Sequence, residues 1–160
     1  MSNQKTITHG VFLNIFNLGV LITGKPGSGK SELALNLIDR GHQLIADDAP
    51  EFFTEDNNTV IGTCPPLLKG FLNVRNLGII NIKKIFRNKS IKTKAKLQLI
   101  INIEKNKSAK YLKIYNIKIP QISVKNQAIL IETAVRNFIL QQQGYDANLD
   151  FANKQQQELS

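Results

Sequence analysis

The sequence predicts an α/β domain on three observations. A short apolar run ending in glycine, VLITG (20–24), leads through a glycine-rich loop and a helical pattern into a second apolar run, QLIADD (43–48). Further β-type runs stand at 96–103 and 111–124. The longest helical period, AILIETAVRNFILQQQ (128–143), lies near the C-terminus.

The elements follow in order. VFLNIF (11–16) alternates and reads as a strand, with NLG (17–19) as its turn. VLITG reads as a buried strand. In KSELALNLIDRGH (30–42), Leu33, Ala34, Leu37 and Ile38 form one apolar helical face. Glu32 in the first turn and Arg40 in the last suit the helix dipole. Gly41 is the expected stop, and His42 just beyond it is expected to meet the helix's carbonyl end. QLIADD is a second buried strand ending on two carboxylates. The stretch 60–82 is mixed, with a stop at Pro65-Pro66. KLQLIINI (96–103) is a strand, and 111–124 holds one or two more. Gly144 ends the 128–143 helix, and Asp146 can cap a last helix over DANLDFANKQQQE.

Composition narrows the class. At 160 residues one domain is expected, spanning 1–160 with its core over about 8–148. The single Cys64 forms no internal disulfide and suits a reducing compartment, where it reads as a buried or loop thiol. MSNQKTITHG has no apolar core of a secretory signal, and no apolar run approaches the length of a bilayer span. A soluble cytoplasmic protein with no membrane association is therefore expected. Formal charge is +9, with lysines concentrated at 81–96 and 105–118. Those segments lack interleaved arginine and aromatic residues, so nucleic acid is not the expected partner. Solvated lysine, or a surface that attracts acidic partners, is the simpler account.

The chemistry centres on GKPGSGKS (24–31), which fits G-x-x-x-x-G-K-[ST] without mismatch. Glycines let successive backbone N–H groups turn inward toward phosphate oxygens. The helix starting near Lys30 aims its N-terminal dipole at the same anion. Lys30 can reach the β- and γ-phosphates, and the Ser31 hydroxyl suits Mg²⁺. Asp47 and Asp48 end the next strand, 18 residues beyond Lys30. If the two strands form a parallel βαβ unit, both carboxylates stand at the loop's edge. One can then hold metal-bound water while the other accepts a proton from an incoming hydroxyl. Taken singly, either could instead cap a turn, and a lone histidine such as His9 is ordinarily structural or solvated.

Three stretches together resemble the catalytic domain of HPr kinase/phosphorylase. They are HGVFLNIFNLGVLITGKPGSGKSELALNLIDRGHQLIADD (9–48), FLNVRNLGIINI (71–82) and AILIETAVRNFILQQQGYDA (128–147). The resemblance implies a phosphate-loop core like that of phosphoenolpyruvate carboxykinase: a mixed β-sheet with a phosphate-loop helix and C-terminal helices. It implies phosphate transfer from ATP, or from pyrophosphate, to a serine of the small phosphocarrier HPr, a component of the phosphotransferase system. It also implies the reverse phosphorolysis. Asp48 becomes the base that takes the serine proton, and Lys30 and His9 become active-site residues. Gly24, Lys25, Pro26, Gly27, Ser28, Gly29, Lys30 and Ser31 become the ATP-binding loop. Ser31 and Asp47 become candidates for Mg²⁺, and hexameric assembly is the family habit. Members often carry a further N-terminal domain, which this chain is expected to lack.

Departures qualify this. Of the family's signature segment, Arg75, Leu77 and Gly78 remain, but Asn73 stands where the family carries a metal-binding Glu and Asn76 replaces a glycine. An Arg-Pro-Gly-Arg-Asn stretch tied to dephosphorylation reads Ile122, Ser123, Val124, Lys125, Asn126 here, so only Asn126 survives. A family arginine expected within 104–115 has no counterpart, and Lys110 lacks the bidentate fork that would replace it. The expectation is a serine kinase acting on an HPr-type carrier with phosphorolysis weak or lost. The alternatives are a nucleotide-binding regulator without turnover and a kinase for another substrate.

Overall fold

The structure is a computed structural model that describes residues 9–104 and 109–159. Residues 1–8, with the start of the expected core, and Lys105 and Lys107 of the second lysine segment lie outside the described residues.

The chain opens with a hairpin of β1 (Val11–Ile15) and β2 (Leu18–Thr23). Its turn is not the expected 17–19. Phe16 and Asn17, both at positive φ, form the two-residue loop that matches strand twist, and Ile15 pairs Leu18 directly. The glycine-rich loop follows, then α1 (Lys30–Asp39), which buries Leu33, Ala34, Leu37 and Ile38 as its spacing foretells. α1 ends one residue before Arg40, which caps it. β3 (Gln43–Ala46) is next.

A second hairpin, β4 (Glu51–Glu55) and β5 (Thr59–Thr63), went unread in the sequence. A small separate ribbon follows, β6 (Phe71–Val74) with β7 (Gly78–Asn81), then the single turn of α2 (Ile82–Phe86). The remaining strands are β8 (Lys94–Asn102), β9 (Tyr111–Ile114) and β10 (Ile117–Ser123). The run 111–124 is thus two strands, split by a second two-residue turn at Tyr115–Asn116 with both φ positive. α3 (Ala128–Gln142) and α4 (Ala147–Leu159) close the chain, with Asp146 accepting from the Leu149 N–H as the expected cap. α4 carries no buried residue.

The main sheet runs β3-β1-β2-β8-β10-β9, with β4-β5 joined through β5 to the N-terminal half of β8. β2, β8 and β10 are parallel neighbours. β1 is antiparallel to both β2 and β3, so β3 also points the same way as β2. The expected parallel pair therefore exists with one correction: β1 lies between its two strands. A parallel crossover through α1 spans one strand rather than landing on a neighbour.

Two apolar layers cover the sheet. On one face α1 and α3 pack Leu37, Ile131 and Val135 against Leu13, Val20, Ile22 and Leu99. On the other, Phe52 and Val60 of the β4-β5 hairpin pack against Phe12, Leu21, Ile45 and Ile100. Alternation along β1 and β2 sends successive side chains to opposite layers, and both layers are sealed, which is why these strands are buried without break until Thr23.

At the far end of α1, Glu132 of α3 gathers two side chains. Arg40 donates from Nε at 2.8 Å and from Nη2 at 2.5 Å to its Oε1, and the His42 Nε2 lies 2.6 Å from its Oε2. Both partners hold the Glu132 carboxyl below its usual range, Arg40 more strongly, against a smaller opposing effect of burial. His42 meets the helix's carbonyl end as expected, but through its backbone N–H on the Leu37 carbonyl, while its ring turns to Glu132. Arg40 likewise serves α3 rather than its own helix dipole.

Candidate functional site

Four strands point the same way, so their C-terminal ends share one edge, the usual place for a ligand in such sheets. β2 ends in the glycine-rich loop, β3 in Asp47 and Asp48, β8 in Glu104, and β10 in the segment carrying Asn126. β1 runs the opposite way, so its start brings His9 to that edge as well. A cleft of about 370 Å³ opens there, lined by Pro26, Gly27, Gly29, Lys30, Ser31, Glu32, Asp47, Asp48, Asn73 and Arg75, with Val11.

The loop between β2 and α1 needs two of its glycines. Gly27 has φ +84 and Gly29 φ +91, a region that side chains with a Cβ enter at a cost. A Cβ would also displace a side-chain end: it would stand 2.9 Å from the Arg75 Nη2 at Gly27 and 2.7 Å from the Asn126 Nδ2 at Gly29. The loop is tied from several sides. The Lys30 ammonium donates to the carbonyls of Gly24 (2.7 Å) and Lys25 (3.0 Å). The Lys25 N–H donates to the Glu104 carboxylate. Asn126 donates to the Ser28 carbonyl at 2.9 Å. The hydroxyls of Ser28 and Thr23 are buried with no hydrogen-bond partner.

The two carboxylates differ in surroundings. Asp47 is the more enclosed: it accepts from the Asn73 backbone N–H at 2.9 Å and from the Ser31 hydroxyl. Burial pushes its carboxyl above the usual range, and the neighbouring Asp48 charge adds to this, while the Asn73 N–H, Ser31 and Lys30 pull it back. Asp48 is open, with its side chain 75% exposed. It sits at φ +65 in the middle of a three-residue turn closed by the Ala49 N–H on the Asp47 carbonyl (2.7 Å). Such left-handed backbone costs a non-glycine residue energy, and Asp is among the types that tolerate it. The His9 Nδ1 lies 3.5 Å from the Asp48 Oδ1.

These surroundings fit a magnesium nucleotide. Ser31 and Asp47, already in contact, are one hydroxyl and one carboxylate, the donor set for Mg²⁺ that is completed by phosphates and water. Among the described residues no group of three His, Cys, Asp or Glu could hold a metal. An ion here would thus be shared with the substrate.

The residues singled out from the sequence are largely brought together. Lys30, Ser31, Asp47, Asp48, Asn73 and Arg75 line the cleft, and His9 stands at its edge beside Asp48. Leu77 and Gly78 do not: they form the tip of the β6-β7 ribbon, with Leu77 exposed and Gly78 at φ +83. Gly24, Lys25 and Ser28 shape the loop without lining the cleft, and neither does Lys110, whose carbonyl accepts from the Gln121 N–H. Glu104 was missed. Its signal was its place, directly after the β-type run KLQLIINI, at the same strand end as the loop and the aspartates.

Comparison with known proteins agrees with this layout. Residues 1–155 match the family described as HPr Serine kinase C-terminal domain. The HPr kinase/phosphorylase of Neisseria meningitidis is 44% identical over 171 aligned positions, covering 96% of this chain and 53% of that protein. That of Chromobacterium violaceum is 43% identical, covering 93% and 52%. The chain thus spans about half the length of the curated relatives it matches. The solved structure of the Hpr(Ser) kinase/phosphatase from Coxiella burnetii aligns with a TM-score of 0.80 at 37% identity, over 84% of this chain and 97% of that one. On sequence and on fold alike, the chain belongs to the HPr serine kinase C-terminal domain family.

Proposed function

We propose that this chain is a protein serine kinase that moves the terminal phosphoryl group of ATP, or of pyrophosphate, onto a serine of an HPr-type phosphocarrier. The observation that carries the reading is the meeting of a phosphate loop with two unlike carboxylates. Asp47 is enclosed beside Ser31, and Asp48 is exposed on a raised turn beside His9.

The division of labour follows from those surroundings. Loop N–H groups and the α1 N-terminus receive the phosphates, and Lys30 moves from the loop carbonyls to the bridging and terminal oxygens. Ser31 and Asp47 would hold Mg²⁺, which neutralises charge on the transferred group when bound. Asp48 is reachable by a hydroxyl on a folded protein and takes its proton, with His9 orienting the carboxylate. In-line transfer then needs positioning and charge stabilisation more than covalent help from the protein.

The reverse phosphorolysis is weak or lost in this reading. The segment 122–126 reaches the phosphate loop through Asn126 yet carries no arginine, so changes there bear directly on phosphate handling. A cytoplasmic location and assembly of several copies, six by family habit, complete the proposal. No helix among the described residues is long and apolar enough to cross a membrane.

The test is incubation with ATP, Mg²⁺ and an HPr-type protein, followed by detection of phosphoserine, and the reverse assay with phosphorylated carrier and inorganic phosphate. Forward transfer that Asp48→Asn abolishes is expected. Absence of phosphoserine at saturating ATP would sink the proposal.

A further inference from the structure

The peptide joining Ser28 to Gly29 is held from outside the cleft. Asn126 stands three residues past the end of β10 and donates its Nδ2 to the Ser28 carbonyl at 2.9 Å. The chain has no cis peptide among its described residues, and in a trans peptide the C=O and N–H point in opposite directions. A Ser28 carbonyl drawn outward to Asn126 therefore turns the Gly29 N–H inward, to the side where Gly29, Lys30 and Ser31 line the cleft.

From this geometry we infer that Asn126 is a positioning residue: it presets the Ser28–Gly29 peptide so that the phosphate loop presents an N–H, not a carbonyl, to a phosphate or pyrophosphate oxyanion. The carbonyls of Gly24 and Lys25 have donors close by in the chain. Lys30 serves Gly24 and Lys25, and the Ser28 N–H serves Lys25 again. Among the described residues, the Ser28 carbonyl takes its hydrogen bond from Asn126, far along the chain. Gly29, at φ +91, can rotate more freely than any residue with a Cβ. With the Asn126 amide gone, the carbonyl can swing toward the cleft and set its partial negative charge against the anion. The amide also lies over the outer side of Gly29, where a Cβ would stand 2.7 Å from Nδ2. The Asn that persists in the altered segment 122–126 thus has a physical task distinct from that of the missing arginines.

The inference rests on the phosphate-loop half of the proposed function and not on the serine acceptor. Its test is therefore anion binding by the full chain. Pyrophosphate is titrated by calorimetry and by the Gly29 amide resonance, against wild type, Asn126→Ala and Asn126→Asp, with melting temperature as the folding control. Wild type should bind with a shift of the Gly29 amide. Losing one preset donor to a charged ligand should weaken Asn126→Ala by about tenfold or more and abolish that shift. Asn126→Asp, isosteric but facing a carbonyl with an acceptor, should be weaker still. Asn126→Ala that binds like wild type with the same Gly29 shift overturns the inference, because charge repulsion alone would spare it. So does a folded wild type that binds no pyrophosphate. Binding that behaves as expected without phosphoserine formation sinks the kinase reading alone.

Discussion

Removing the Glu132 carboxylate tests how the two helices on one face of the sheet are joined. Glu132→Ala strands His42, whose side chain is 6% exposed and loses the carboxylate 2.6 Å from its Nε2. An unsatisfied buried polar group of this kind costs roughly 1–3 kcal/mol, so about 2 kcal/mol is expected. The Arg40 end is 43% exposed and rehydrates, so it is assigned nothing. With unfolding entropy of about 2.1 cal/mol/K per residue over the chain's 160 residues, the melting temperature should fall by about 6 °C. The pH dependence has a definite sign. Glu132 titrates lower in the folded chain than the ordinary 4.5 of the unfolded one. Its contribution is therefore full above that value and is lost as pH falls through the folded value. Urea unfolding at pH 7 should separate variant from wild type by about 2 kcal/mol, and the gap should shrink at about pH 3. Glu132→Gln keeps one acceptor and should lose less. Pyrophosphate affinity should not change, since α1 places the cluster about 15 Å from the cleft. A gap at pH 7 below about 0.5 kcal/mol, or one equally large at about pH 3, refutes the account.

Three further outcomes follow from the cleft. Burial penalises the charged form of Asp47, so Asp47→Asn should raise the melting temperature above pH 7 while abolishing phosphotransfer, and the stability gain should disappear in acid as the wild-type carboxyl protonates; paired melting curves and transfer assays check it. Asn73 lines the cleft and already binds Asp47 through its backbone, so Asn73→Glu should lower the Mg²⁺ concentration for half-maximal transfer, and an unchanged requirement places residue 73 away from the metal. Gly29→Ala meets both a left-handed backbone and the Asn126 amide; it should destabilise by more than about 1 kcal/mol and weaken ATP binding, measured by calorimetry.

Much of this molecule is legible in the chain because its signals are local. The loop motif, the apolar face of α1, the β-type runs and the Asp146 cap each depend on residues a few positions apart. What escapes depends on partners far along the sequence. The insertion of β1 between β2 and β3 leaves no local mark, since β1 is buried on both faces and reads like any core strand. The tight turns at Phe16–Asn17 and Tyr115–Asn116 place bulky aromatics at positive φ instead of the expected glycine. Glu132 sits in an apolar helical run with nothing nearby to predict partners 90 and 92 residues away. Glu104 and Asn126 acquire meaning only once four strand ends are known to share an edge. The placing of the loop beside its aspartates was thus readable from the sequence, while the bracing of that loop was not.

The direction of β1 also bears on how the protein can be handled. Because this strand begins at the cleft, any polypeptide fused ahead of His9 departs from the rim at which the proposed serine acceptor enters. A purification tag or fluorescent reporter there competes for the approach route and is best cleaved before binding or transfer is assayed.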